Sequence, residues 1–143
     1  MKTIILILSF IFISIIAYCD FDLNSEILSH VTSNGVSTIH KISKDKLKEL
    51  PQWDPEKNEN LPCSHSDAIK TGKEWLKKKY PKMDDYEIRE IQIKKMGYQS
   101  KENNWFFCIT YRPIIGDQVM YGTEYKVVVL LNKEIVEPLI TKN

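Results

Sequence analysis

Ser64, His65, Ser66 and Asp67 bring the residue types of a hydrolase triad together within four positions, and Cys63 precedes them. A triad needs a nucleophile, a base and an orienting acid that point at one another, and neighbours at the start of a helix seldom do. Ser64 followed three residues later by Asp67 reads instead as the cap of a helix. Cys63 with His65 as its base would make a thiol nucleophile at a helix N-terminus, where the dipole lowers a thiol pKa. Packing or a disulfide to Cys108 accounts for Cys63 more simply. The chain holds three histidines, His30, His40 and His65. His30 and His40 fall on opposite faces of a hairpin whose side chains alternate, so they do not share a metal. Cys63 and His65 make half a zinc site with no second close pair to complete it. The acidic groups Asp84-Asp85-Glu87 and Asp54-Glu56 lack the spacing and sharp glycine turn of a calcium loop, and the five glycines are scattered singly, which excludes a phosphate-binding loop. No residue is expected to be catalytic, and neither a metal nor a cofactor is expected.

The elements that hold these residues divide at Pro62-Cys63. In front, residues 26 to 43 flank Asn34-Gly35, the dipeptide suited to a two-residue hairpin turn. That turn sets Val31 opposite Thr38, Ser29 opposite His40 and Ile27 opposite Ile42, with a short helix over 25 to 31 as the competing reading. Residues 44 to 50 favour a short helix, and the prolines of Pro51-Gln52-Trp53-Asp54-Pro55 begin a loop. Behind, Ala68, Ile69, Trp75, Leu76 and Tyr80 share one face of a helix that Pro81 ends. The lysines at 70, 73, 77, 78 and 79 form its solvated side.

Strands are expected over 86 to 95, with a bulge where the alternation slips between Ile88 and Ile91, over 105 to 112 ending at Pro113, over 121 to 131, and over 134 to 140 pairing back across Asn132-Lys133. Residues 105 to 111 and 127 to 131 are apolar at consecutive positions, so both faces of the central strands require cover. One helix covers one face. The other must meet the front of the chain, a second copy or a partner, which makes Val127, Val128 and Val129, with Trp53 in its loop, the interaction candidates.

Of 143 residues, 20 are Lys or Arg and 19 Asp or Glu. With Lys2 in a leader the remainder balances, which argues against a nucleic-acid partner. Residues 4 to 18 are charge-free and follow Lys2, and a run of fifteen spans about 22 Å as a helix, too short for a bilayer core of about 30 Å. This is the layout of a signal peptide over residues 1–19, with Ala17 and Cys19 placed for cleavage before Asp20. Removing nineteen residues leaves 124, enough for one domain. The expected destination is the periplasm or the exterior. A lipid anchor on Cys19 and an uncleaved anchor are the alternatives, and only the anchored forms bring the protein to a membrane. In an oxidising compartment Cys63 and Cys108 become a disulfide candidate.

Leu61-Pro62, the helix with Asp67-Ala68-Ile69 and Trp75-Leu76, Trp105-Phe106-Phe107, Tyr111-Arg112, the run Val127 to Asn132, and Ile135-Val136-Glu137-Pro138 together resemble PepSY-like small exported bacterial proteins. Trp53-Asp54-Pro55-Glu56 is similar to a segment before the helix in such proteins. The resemblance spans about residues 51 to 140 and rests on packing patterns. It implies an α+β, cystatin-like domain over 63–143: one helix packed on a curved antiparallel sheet of three to four strands. The residues before it, 20–62, are read as a hairpin and linker or a short irregular part. It also implies a binding or inhibitory role. The chain departs from the pattern at Asn132-Lys133, where similar proteins often place Gly, so Lys133 must take a positive φ or sit in a longer turn. The functional expectation is an exported, non-catalytic module that binds a protein, a peptide or an envelope component through a sheet face or edge. A self-associating structural protein, such as a homodimer, is the alternative, and a small thiol hydrolase is a third.

Overall fold

The computed structural model describes residues 24–33, 35–57, 59–97 and 103–142. The leader, Cys19 with its cleavage or acylation, and Asn34 of the expected turn lie outside the described residues.

The front of the chain forms the expected hairpin. β1 (Ser25–Ser33) pairs antiparallel with β2 (Val36–Ser43), Val31 opposite Thr38 and Ser29 opposite His40. A bulge between Ile27 and Ser29 moves Ile42 opposite Glu26 and Ile27 opposite Lys41. The extra residue at the bulge is Leu28, which is buried while Ile27 stays exposed. The competing helix over 25 to 31 is thereby overturned. Gly35 has the positive φ of 73° that this turn needs. A one-and-a-half-turn helix, α1 (Lys44–Lys48), follows directly, capped by Ser43, whose side chain accepts from the Lys46 amide.

The second half begins with α2 (His65–Lys79), N-capped by the Ser64 hydroxyl, which accepts from the Asp67 amide at 3.1 Å. β3 (Asp85–Lys95) and β4 (Trp105–Ile115) then pair antiparallel, with the expected bulge between Ile88 and Glu90. The strand does not stop at Pro113. Pro113 lies beyond Tyr111, the last β4 residue paired with β6 (Tyr125–Leu130), so its missing N–H interrupts nothing on that side, and its carbonyl accepts from the Met120 amide. A two-residue β5 (Gln118–Val119) folds back on the end of β4.

The expected last strand over 134 to 140 is two strands in two sheets. β7 (Ile135–Val136) pairs with β6, and after Glu137 the chain crosses so that β8 (Pro138–Lys142) pairs with β2. The turn between β6 and β7 takes the first of the two options open to it: Lys133 has φ 68°.

These pairings overturn the expected fold class. The chain is predominantly β, with a three-stranded sheet in the order β1-β2-β8 and a five-stranded sheet in the order β3-β4-β6-β7 with β5 on β4. It is not one helix on a sheet of three or four strands. The three-stranded sheet takes β1 and β2 from the front of the chain and β8 from beyond the five-stranded sheet.

Consecutive residues of the central strands feed two cores. Phe107, Ile109, Tyr111, Val127, Val129 and Leu131 meet α2 through Ala68 and Leu76. Phe106, Cys108, Val128 and Leu130 meet Leu28 and Ile42 of the hairpin, Leu47 and Leu50 of the α1 region, and Met96. The second sheet face therefore has its cover from within the chain.

Candidate functional site

That cover is partial, and the register shows where it ends. On β4 the residues of the second face run Phe106, Cys108, Thr110, Arg112, and on β6 their partners run Leu130, Val128, Lys126. On β3 the row continues with Glu90 opposite Thr110 and Glu87 opposite Arg112. The face is apolar under the hairpin and polar beyond it. Over the polar half the two sheets leave an open cleft of about 240 Å³. Its floor is Thr110 and Lys126 with Glu90, its roof Val31, Thr38, Pro138 and Ile140 from the small sheet, and its side Trp75 of α2, the C-cap residue Tyr80 and Tyr125.

Arg89 is the extra residue of the β3 bulge, and it reaches Glu124 in a two-point ion pair at 2.5 and 2.6 Å. Arg112 Nε joins the same carboxylate at 3.4 Å and stacks over Tyr121. Desolvation works against the charge on Glu124, but the Arg89 and Arg112 contacts prevail and hold its carboxyl below the usual range. At the α2 side Glu137 accepts from Lys79 at 2.8 Å and from Trp75 Nε1 at 2.5 Å, and the Lys79 contact leads in lowering its pKa. These bonds fasten α2 to the crossover between the sheets.

His40 lies on the same face of β2 as Thr38, one pair nearer the closed end, opposite Pro138. It is 1% exposed, and among the described residues neither ring nitrogen has a hydrogen-bond partner of good geometry. Burial, with Lys126 and Lys79 adding to it, drives its pKa down to about 4, while Glu137 and the Lys126 backbone oppose the shift. His40 is thus a neutral ring at neutral pH, wedged between the sheets.

The residues singled out for chemistry are used for structure. Ser64 spends its hydroxyl on the helix cap, Asp67 pairs with Lys133 at 3.1 Å, and His65 packs edge-on against Phe107. Cys63 is fully buried, and desolvation raises its thiol pKa, the opposite of what a nucleophile needs. Cys63 and Cys108 are both free, and they sit in different cores, Cys63 on the α2 side and Cys108 on the hairpin side of the five-stranded sheet. The disulfide expected from sequence is not formed, because β4 turns Cys108 away from the helix. Among the described residues no three His, Cys, Asp or Glu side chains converge as a metal site would require.

Three of the four interaction candidates are also placed in the interior. Val127, Val128 and Val129 are at most 1% exposed. Trp53 is half-buried, edge-on to Trp105 with ring centres 5.3 Å apart, and its Nε1 donates to the Glu59 carbonyl. The cleft residues Thr110, Glu90 and Lys126 were missed as a group. Their signal was available: beyond Cys108 and Val128, alternate positions turn polar, the period-two mark of a strand half wet on one face.

No family model matches the chain, and neither the curated proteins nor the solved structures contain a match.

Among the described residues no helix is long and apolar enough to cross a membrane.

Proposed function

We propose that this chain is an exported, non-catalytic binding module whose ligand is held between its two sheets. The observation that carries the reading is the polarity divide on the second face of the five-stranded sheet. Its apolar half is roofed by Leu28, Ile42, Leu47 and Leu50, while its charged half lies under a roof that stands off it. Concave sites with apolar walls and a few converging polar groups are where small ligands bind. This reading replaces the flat sheet face formed by Val127 to Val129, which is interior, with the cleft beside it.

Export is supported by the leader pattern, and the mass of protein recovered from its host tests it: a chain starting at Asp20 is expected, and a lipid-modified Cys19 contradicts soluble export. Chemical-shift mapping of a small-molecule fragment library tests the cleft. Perturbed amides are expected at Thr38, Thr110, Lys126 and Ile140, and the response is expected to vanish in an Ile140→Trp variant that fills the mouth from an exposed position. Perturbations confined to the Trp53 loop or to Tyr121, or none anywhere, contradict the reading.

Self-association is the second reading. The outer face of the small sheet carries Ile27 and Leu139, 57% and 53% exposed, with Ile39 beside Leu139 in register. Sedimentation of an Ile27→Lys, Leu139→Lys variant decides it: wild-type protein heavier than the variant supports a dimer, and equal masses contradict it.

A further inference from the structure

Glu90, Thr110 and Lys126 form one cross-strand row on the cleft floor, Thr110 pairing with Glu90 on one side and with Lys126 on the other. Neighbouring strands are about 4.8 Å apart, so the backbones of Glu90 and Lys126 are about 10 Å apart with a hydroxyl between them. The other two charged groups that line this cleft neutralise each other: Arg89 pairs with Glu124. Lys126 has no ion-pair partner among the described residues, although it is partly buried. Glu90 accepts from the Gln92 amide at 2.5 Å and has no ion-pair partner among the described residues. The floor therefore presents one positive and one negative charge, held apart by a strand and left for something else to satisfy.

Lys126 is partly buried and Glu90 is exposed. A partly buried charge without a counter-ion is costly, so a ligand carboxylate on Lys126 recovers part of that cost, while Glu90 adds a weaker, solvent-screened attraction for an amine. An extended chain advances about 3.3 to 3.6 Å per residue, so three residues carry an amine and a carboxylate about 10 Å apart. The apolar roof of Val31, Pro138 and Ile140 suits small aliphatic side chains, and the cleft is open, so a short chain can lie across its floor without being enclosed. We infer that the cleft takes a short peptide with both termini free, its carboxylate on Lys126 and its amine on Glu90. This rests on the cleft being the binding site and names the class of ligand it selects.

The test is NMR titration with three peptides that differ only in terminal charge: Ala-Val-Ala, its N-acetyl form and its C-terminal amide. The free peptide is expected to bind about tenfold more tightly than either blocked form, with shifts at Thr38, Thr110, Lys126 and Ile140. In a Lys126→Met variant the gap between the free peptide and its amide should close. In a Glu90→Gln variant the gap between the free peptide and its N-acetyl form should close. Both substitutions are at side chains that no core needs, so the fold serves as its own control. Equal binding of all three peptides in the cleft overturns the inference and leaves the cleft as a site. Absence of peptide binding where library fragments perturb the same amides does likewise. Absence of both overturns the inference together with the reading it rests on.

Discussion

A Cβ atom placed on Gly72 of α2 would lie 2.5 Å from the hydroxyl of Tyr111 on β4. The same hydroxyl donates to the Ile69 carbonyl at 3.0 Å, so the glycine lets a buried tyrosine approach the helix backbone and bond to it. Gly72 is a point of close approach between α2 and β4, and a glycine inside a helical pattern is the sequence mark of such an approach.

Gly72→Ala is therefore expected to destabilise the protein by about 2 kcal/mol even though alanine is the better helix former by about 1 kcal/mol. Thermal denaturation measures it, and adding Tyr111→Phe to the alanine variant should recover part of the loss by removing the hydroxyl. A stabilising Gly72→Ala would show that the helix does not sit this close to β4.

Val128→Lys tests the second core. Val128 is fully buried between Cys108 and Val136 of the cluster under the hairpin, and an uncompensated charge there costs about 3 kcal/mol or more. The variant should lose cooperative unfolding or become insoluble. A variant that stays folded but dissociates from a partner would mean that this face is an interface and not an interior.

How legible this arrangement was can be followed along β4 and β6. The consecutive apolar runs correctly demanded two covered faces, and the slip between Ile88 and Ile91 marked the β3 bulge. The hairpin partners were readable from Asn34-Gly35 up to Ser29 and His40, where Leu28 bulges out of the ladder. What covers the second face was not readable, because hydrophobic pattern shows that a surface is buried and not by which segment. The crossover at Glu137-Pro138 shows this most plainly: both residues of β7 and the first three of β8 read as one strand, yet they pair in different sheets. Cys63 and Cys108 failed as a pair for a related reason. Their types permitted a bond, but the parity of position 108 on β4 places its thiol on the far side of the sheet.

His40 gives the fold an acid sensitivity. The unfolded chain binds a proton there near pH 6.5 and the folded protein only near 4, so between these values the unfolded state holds more protons. The contribution is full above pH 6.5 and falls as pH drops through 4, amounting to up to about 3 kcal/mol. Lys126 and Lys79 reinforce the cost of charging the ring, and Glu137 opposes it. In denaturant titrations at pH 7 and pH 4.5, a His40→Phe variant should lose less stability on acidification than wild type. Equal losses would show that His40 is hydrated or paired in solution.

The central claim is that one sheet face is closed at Cys108 and Val128 and open at Lys126. Thiol reactivity reads it directly, because the native thiols of Cys63 and Cys108 are buried and their pKa values are raised, primarily by desolvation. In a Lys126→Cys variant treated with a small charged thiol reagent, the new cysteine should be modified in the folded protein while Cys63 and Cys108 react only after unfolding. In a Val128→Cys variant, position 128 should stay as protected as Cys108. Modification of Cys108 or of position 128 as fast as position 126 would contradict the account, since the hairpin would then not roof the apolar half and no cleft would be bounded by it.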